Sequence, residues 1–222
     1  MEIFEFGDQR RPTIMLLHGV GSGPSAWQPQ IGALCDRFHL AVPDVLGAPG
    51  ASETFTFPEV CGTLADWMRA RPTGPVHLVG LSLGAMIAVR LAADHPDVTA
   101  SLIISGAQLK PPRLLMTIQR AVMAVLPARL LGATSTQEKR RLVSVIESVS
   151  HVDLRADAIR VQARTLVLCG ARDRFNLPAS RLAARLIRGA QLRVIPGAGH
   201  EWNVQLPELF TTTVEVFVTA RR

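Results

Sequence analysis

A serine between two glycines is the residue in this sequence best suited to nucleophilic chemistry. Ser82 lies in Gly80-Leu81-Ser82-Leu83-Gly84, between an apolar run of strand length, 76–79, and a helix-like run, 85–93. The glycines permit a sharp strand-to-helix turn that lifts the serine hydroxyl off a sheet. The helix beginning there would direct its free N–H groups at whatever the serine attacks. The pattern therefore predicts a nucleophile, provided that a base and an acid accompany it.

A serine hydroxyl needs a positioned base to remove its proton, and the chain contains six histidines. His200 is the predicted base because it lies on a glycine-rich loop, 196–200, after the last predicted strand. Loops at the carboxyl ends of parallel strands are where α/β proteins build their sites. The other histidines lie in or beside strands, at the end of a helix, or in a helical stretch: His18, His39, His77, His95 and His151.

A carboxylate must orient the base and stabilise the imidazolium, and Asp173 is the predicted residue. It follows an apolar strand, 165–169, at the same edge of the sheet, and Pro178 opens the next helix. Asp44 also follows a strand, but it precedes the serine in a loop rich in proline and glycine. We expect Asp44 to structure that loop.

The oxyanion of a tetrahedral intermediate needs at least two hydrogen-bond donors. The N–H of Leu83, directly after the serine, is one predicted donor. The N–H of Val20, in the glycine-rich loop 18–23, is the other. This loop lacks the G-K-[ST] ending of a phosphate-binding loop and the last glycine of a dinucleotide fingerprint. The sequence therefore predicts no cofactor and no metal.

Apolar runs of strand length alternate with helix-length segments, which is typical of a mostly parallel sheet with helices on both faces. The strands from Thr13 onward are nearly continuously apolar and are expected to be covered on both faces. The predicted strands are Ile3–Phe6, Thr13–Leu17, Leu40–Pro43, Val76–Val79, Ser101–Ser105, Thr165–Cys169 and Leu192–Ile195. The predicted helices are Ser25–Cys35, Pro58–Ala70, Leu83–Asp94, Pro178–Ile187 and Pro207–Ala220.

Between residues 107 and 164 the pattern indicates two or three helices and no strand. Ser135 and Glu138 form a capping-box pattern that opens one helix, and Asp153 could cap another. The segment from Gln108 to Gln162 contains nine basic and four acidic residues, so it carries most of the net charge of +6.

Composition narrows the class of protein. A chain of 222 residues with 48% hydrophobic content fits one soluble domain with a substantial core. No basic run is interleaved with aromatic residues, so nucleic acid is not an expected partner. The most apolar window contains His77, Ser82 and Arg90, which excludes a good membrane span. Three scattered cysteines and an N-terminus without a signal pattern predict a cytoplasmic protein with reduced thiols.

Serine, aspartate and histidine in this chain order, on three loops at one sheet edge, resemble the α/β-hydrolase superfamily. The resemblance covers nearly the whole chain: His18-Gly19, Trp27, Ser82 in its turn, His95-Pro96, 170–178 around Asp173, and Gly199-His200. It implies that residues 1–107 and 163–222 form the core, with 108–162 as a helical cap over the active site. There are two departures from the family pattern. Only one strand fits before Thr13, where the family usually has two, and Asp44–Ser52 resembles the family's D-x-x-G-x-G-x-S loop with one extra residue.

These residues predict a serine hydrolase that cleaves a small-molecule carboxylic ester through an acyl-enzyme. C–C bond hydrolysis, cofactor-free perhydrolysis and a non-catalytic ligand-binding role remain alternatives on the same fold. The basic segment suggests an anionic substrate, or an acyl group on an acidic carrier protein, although solvated arginine faces explain the charge as well.

Overall fold

A computed structural model describes residues 1–47, 55–131 and 135–220, except for the side chains of residues 113–115, 118–120 and 131. In these ranges seven strands form one sheet in the order β1-β3-β2-β4-β5-β6-β7. β1 pairs antiparallel with β3, and the other neighbouring strands pair parallel. The strands are β1 (Ile3–Phe6), β2 (Thr13–Leu17), β3 (His39–Pro43), β4 (Val76–Leu81), β5 (Thr99–Ser105), β6 (Arg164–Gly170) and β7 (Gln191–Ile195).

Helices cover both faces of this sheet. In β2 the side chains of Ile14 and Leu16 join one buried cluster, and those of Met15 and Leu17 join the other, as strand alternation requires. The helices are α1 (Gln28–Leu34), α2 (Phe57–Arg69), α3 (Leu83–Asp94), α4 (Arg113–Val125), α5 (Thr136–Ser150), α6 (Arg155–Arg160), α7 (Leu177–Leu186), α8 (Trp202–Gln205) and α9 (Pro207–Thr219). The cluster with Met15 contains residues of α2, α3 and α7, and the cluster with Ile14 contains residues of α1, α8 and α9. The predicted fold class, a mostly parallel sheet between two helical layers, is confirmed.

All seven predicted strands are present: β1 and β2 have the predicted ends, and the ends of the other five differ by at most two residues. The expectation that every strand after β1 is covered on both faces is wrong for β7, where Gln191, Arg193 and Val194 are exposed. Among the described strands β7 lies at one edge of the sheet, next to β6, so fewer neighbouring elements cover its side chains. The single strand before Thr13 is confirmed as β1.

The first predicted helix is divided. A 3-10 turn, Pro24–Trp27, precedes α1, which begins at Gln28. Pro29 has no N–H, and its ring would clash with the carbonyl four residues earlier, so one α-helix cannot run from Ser25 through this position.

The described part of the stretch between β5 and β6 is helical, as predicted. Ser135 Oγ accepts a hydrogen bond from the N–H of Glu138 at 3.1 Å, so the predicted cap of α5 is present. Asp153 accepts from the N–H of Arg155 at 3.3 Å, although the N-cap residue of α6 is Leu154. α4 and α5 pack on each other, whereas α6 packs on α3 and α7. The segment's role as a cap stays a prediction.

The loop after Asp44, the three cysteines and the helix lengths bear on the remaining expectations. Residues 48–52 of the family-like loop lie outside the described residues. Cys61 and Cys169 are buried free thiols and Cys35 is a half-buried one. Within the described ranges, every helix is too short or too polar to cross a membrane.

Close contact between α3 and the sheet depends on two glycines. A Cβ atom at Gly84 would lie 2.0 Å from the Leu17 carbonyl oxygen. A Cβ atom at Gly80 would lie 2.4 Å from the Gly84 carbonyl oxygen. Both distances are far inside van der Waals contact, so only glycine lets the first turn of α3 rest against β2 and β4.

We therefore expect Gly84→Ala to lower the free energy of unfolding by about 1–3 kcal/mol or more, because the new methyl group overpacks rigid backbone. Gly62→Ala is the matched control, since a Cβ atom at this exposed position of α2 would meet no described atom within 4 Å. It should be neutral or stabilising by up to about 1 kcal/mol. Urea unfolding followed by circular dichroism measures both. Equal stability of the two variants would contradict the packing described for α3.

Candidate active site

Ser82 lies at the turn between β4 and α3 in a strained backbone conformation. Its φ of 55° makes it the one non-glycine residue with positive φ in the described ranges. Such a conformation costs about 1–3 kcal/mol and persists only where the surroundings hold it. The Ser82 N–H donates to the Ser105 carbonyl at 2.9 Å, and the Ser82 carbonyl accepts from the Met86 N–H at 3.1 Å. These two bonds tie the turn to β5 and to the first turn of α3.

His200 and Asp173 are joined by a short hydrogen bond. His200 Nδ1 donates to Asp173 Oδ2 at 2.6 Å. Asp173 is buried and His200 is partly exposed. With Nδ1 donating, Nε2 carries the lone pair and is the basic atom of the neutral ring. The loops after β6 and β7 therefore bring the predicted acid and the predicted base together.

The pKa values of both groups are shifted in the directions that this pairing requires. The hydrogen bond that His200 donates to Asp173 raises the pKa of His200 above its ordinary value of 6.5, and it outweighs burial, which acts in the opposite direction. Burial of Asp173 opposes its ionisation, but hydrogen bonds from His200 and Asn176 outweigh it and hold the pKa of Asp173 below its ordinary value. Asp173 is therefore the ionised partner of His200.

Two side-chain amides extend this pair. Asn176 Nδ2 donates to Asp173 Oδ1 and to Asp173 Oδ2, at 2.9 Å each. Gln108 Nε2 in turn donates to Asn176 Oδ1 at 2.9 Å. Neither Asn176 nor Gln108 was predicted from the sequence. For Asn176 a signal exists, because a side chain three residues after a turn aspartate can reach its carboxylate. No sequence signal indicates Gln108.

Ser82 and His200 face one cavity of about 280 Å³. Among the described groups no hydrogen bond joins Ser82 to His200, so their shared cavity is what relates them. Its other lining residues are mostly apolar: Val20, Leu83, Met86, Gly106, Gln108, Pro111, Met116, Ile146, Val149, Phe175 and Asn176. Gly106 leaves room for the imidazole, since a Cβ atom there would lie 2.8 Å from His200 Cε1.

The two predicted oxyanion donors, Val20 and Leu83, also line this cavity. Leu83 is the first residue of α3, so its N–H has no partner within the helix. The loop that carries Val20 is held from behind by the buried side chain of His18. His18 Nδ1 donates to the Gly19 carbonyl at 2.9 Å, and Nε2 accepts from the Val45 N–H at 3.2 Å.

Asp44 structures its own loop, as expected. Its Oδ1 accepts from the N–H groups of Leu46 and Gly47, at 3.2 and 3.0 Å. The carboxylate also lies 3.6 Å from His18 Nε2. Asp44 therefore belongs to the wall behind the oxyanion loop and does not compete with Asp173 for His200.

The other histidines lie away from the cavity. His77 contacts Ser101 Oγ at 2.8 Å, and burial, followed by the charge of Arg164, lowers the pKa of His77 to about 4. His95 Nδ1 accepts from Arg69 at 2.8 Å. Within the described ranges, no group of three or more histidine, cysteine or acidic side chains is placed to hold a metal ion. The structure thus brings Ser82, His200, Asp173, Val20 and Leu83 together, and their catalytic roles stay predictions.

A family model and several known proteins match most of this chain. The model of the Alpha/beta hydrolase family matches residues 14–212. A protein of Caulobacter sp. (strain K31), provisionally named carbamate hydrolase RutD, is 25% identical over 244 residues, covering 94% of this chain and 91% of that protein. An AB hydrolase superfamily protein of Gibberella zeae is 25% identical, covering 93% of this chain and 79% of its own length.

Solved structures with the same fold include an alpha/beta hydrolase enzyme from a Medee basin deep-sea metagenome library. It superimposes with a TM-score of 0.89 at 17% identity, covering all of this chain and 94% of that one. The enol-lactonase from Burkholderia xenovorans LB400 superimposes with a TM-score of 0.82 at 23% identity, covering 99% and 96%. These similarities show the fold.

The pairing of His200 with Asp173 predicts how His200 titrates. We expect the imidazole of the intact protein to titrate above its ordinary pKa, and Asp173→Asn to lower that pKa by about one unit or more. The pKa of His200 should fall because the bond to Asp173, the largest cause of its raised value, is removed, whereas burial, which lowers the pKa, remains. NMR titration of the histidine ring protons measures this, with His200→Ala to assign the signal. Asp153→Asn, which removes an exposed carboxylate bonded to Arg155, is the control. An unmoved His200 titration in Asp173→Asn would contradict the assigned pairing.

Proposed function

The chain belongs to the alpha/beta hydrolase family, and from that premise we propose that this hydrolase cleaves a small, uncharged carboxylic ester through an acyl-enzyme on Ser82. The observation that carries the proposal is the 2.6 Å bond from His200 to Asp173, in a base that shares a cavity with Ser82. A serine at a strained turn, a base whose Nε2 carries the lone pair and a buried carboxylate behind it are the three parts of a nucleophilic triad.

In the proposed reaction His200 Nε2 removes the proton of Ser82 Oγ as that oxygen attacks the ester carbonyl. The N–H groups of Leu83 and Val20 stabilise the oxyanion of the tetrahedral intermediate. The intermediate collapses with cleavage of the C–O bond to the alcohol, and His200 gives its proton to the departing oxygen. Water, deprotonated by the same ring, then attacks the acyl-enzyme, the bond between the acyl carbon and Ser82 Oγ breaks, and His200 returns the proton to Ser82 Oγ as the acid leaves. Asp173 stabilises the imidazolium in both steps.

The cavity volume favours a short acyl group. At about 30 Å³ for each heavy atom, its 280 Å³ corresponds to about nine heavy atoms, which accommodates a short acyl chain and the reacting part of the leaving group. The rest of an aryl leaving group would extend through the open side of the cavity. Apart from His200, the described residues that line it carry no formal charge, which favours an uncharged substrate. Part of the wall comes from the stretch 108–162, through Gln108, Pro111, Met116, Ile146 and Val149. We propose that this stretch acts as the cap and selects the acyl group.

The positions of the basic residues in the same stretch support an anionic or carrier-bound substrate less than they support an uncharged one. Among the side chains that the structure describes there, no lysine or arginine lines the cavity. Lys110 forms an ion pair with Asp153 at 3.2 Å, and Lys139 donates to the Ala124 carbonyl. Delivery by an acidic carrier protein stays a prediction, for which a steep salt dependence of association is the signature.

A carbamate is the second candidate substrate, favoured by the name of several relatives that match about nine-tenths of the chain. The same steps would attack a carbamate carbonyl, so the two candidates differ in substrate and not in machinery. An aryl ester and the matching aryl carbamate, compared by kcat/KM, separate them. C–C bond hydrolysis, perhydrolysis and non-catalytic binding are the remaining alternatives.

Ser82→Ala tests the nucleophile. Loss of the attacking hydroxyl should lower kcat toward p-nitrophenyl butyrate by at least about a thousandfold and abolish labelling by a fluorophosphonate. Ser25→Ala, at an exposed serine outside the cavity, is the matched control and should retain parental activity. If Ser82→Ala kept more than about a tenth of the parental kcat, the proposed mechanism would be wrong.

Ile146→Ala tests the acyl pocket. Removing this buried side chain enlarges the cavity, so the ratio of kcat/KM for p-nitrophenyl octanoate over butyrate should rise about tenfold. Ile159→Ala makes the same change at a position of α6 that is 63% exposed and outside the cavity, and should leave the ratio unchanged. An identical ratio in both variants would show that the cavity does not select acyl length.

A further inference from the structure

We infer that Asn176 is a positioning residue of the triad: its side-chain amide holds the Asp173 carboxylate toward His200, and Gln108 fixes the orientation of that amide. This inference rests on the function proposed above. It concerns two residues outside the triad and the oxyanion donors, and it links the start of the stretch 108–162 to the catalytic acid.

The geometry of Asn176 differs from that of an ordinary turn amide. Nδ2 lies 2.9 Å from each oxygen of Asp173 and 3.1 Å from His200 Nδ1. His200 Nδ1 and Asn176 Nδ2 both donate to the Asp173 carboxylate, so their 3.1 Å contact is that of two neighbouring donors on one acceptor. Asn176 is 7% exposed and Asp173 9% exposed, so water has little room to replace the amide. The side chain of Asn176 therefore holds both oxygens of the carboxylate, one of which accepts from His200.

The amide works only in one orientation. If it were rotated by half a turn, Oδ1 would face both oxygens of an ionised carboxylate, which is repulsive. Gln108 removes that alternative because its Nε2 donates to Asn176 Oδ1 at 2.9 Å and to the Phe175 carbonyl at 3.3 Å. An Nε2 group can donate but not accept, so it selects the orientation in which Nδ2 faces Asp173. Gln108 acts on Asp173 through Asn176.

The electrostatic consequence has a definite sign. The amide N–H groups partly neutralise the charge of Asp173, so they moderate the pull of that charge on the proton of His200. Removing them should strengthen this pull and raise the pKa of His200. A carboxylate in place of the amide should raise it further, since a second negative charge would then lie beside Nδ1.

NMR titration of His200 in the full chain tests this without a substrate. We expect its pKa to rise by about half a unit in Asn176→Ala and by more than about one unit in Asn176→Asp. Gln108→Ala should produce a smaller rise, and no further rise when combined with Asn176→Ala, because the two residues act as one chain. In parallel, kcat toward p-nitrophenyl butyrate should fall about tenfold in Asn176→Ala, with KM little changed.

Asn203→Ala is the matched control. Asn203 is also a buried amide, but it donates to the Ala26 carbonyl and not to the triad. This variant should lower the melting temperature without moving the His200 titration. If Asn176→Ala unfolds, the isosteric Asn176→Asp decides by the same titration.

A His200 pKa within about 0.2 units of the parental value in the folded Asn176 variants, or no rise in Asn176→Asp, would overturn the inference. A lower pKa in Asn176→Ala would show the carboxylate turning away from His200 once the amide is gone, as a positioning role requires. If the parent hydrolyses no ester, the proposed function fails, and the titration still decides the role of Asn176.

Discussion

The close contact between α3 and the sheet holds Ser82 in a backbone conformation that serine adopts only under constraint. Gly84 permits the contact, since any side chain there would collide with the Leu17 carbonyl. The hydrogen bond from the Ser82 N–H to the Ser105 carbonyl fixes the turn on the other side. As a result the hydroxyl stands at the N-terminus of α3, beside the first free N–H of the helix, before any substrate arrives. Electrostatic stabilisation of this kind needs no rearrangement during the reaction.

The remaining groups come from separate loops at the carboxyl edge of the parallel strands. His200 follows β7, Asp173 follows β6, Gln108 follows β5 and Val20 follows β2, so the order of strands sets which groups can meet. His200, Asp173, Asn176 and Gln108 form one chain of hydrogen bonds that ends at the start of the stretch 108–162. A rearrangement of that stretch on substrate binding would therefore reach Asp173 through two bonds.

Much of this was predictable from the sequence, because apolar strand runs, glycine-flanked Ser82 and loop-borne His200 are local patterns. The exposure of β7 was not predictable, since it depends on the strand order and not on the strand's own residues. Asn176 and Gln108 were missed for a similar reason. A side-chain amide has no periodicity, and their contact joins positions that only the folded chain brings together.

The central claim is that Ser82 carries the acyl group. Its most direct measurement is mass spectrometry of the protein quenched during turnover of p-nitrophenyl acetate, followed by peptide mapping. We expect one acetyl group on the peptide that contains Ser82, formed in a burst and absent from Ser82→Ala. Turnover without any covalent adduct, or an adduct on a different residue, would contradict it.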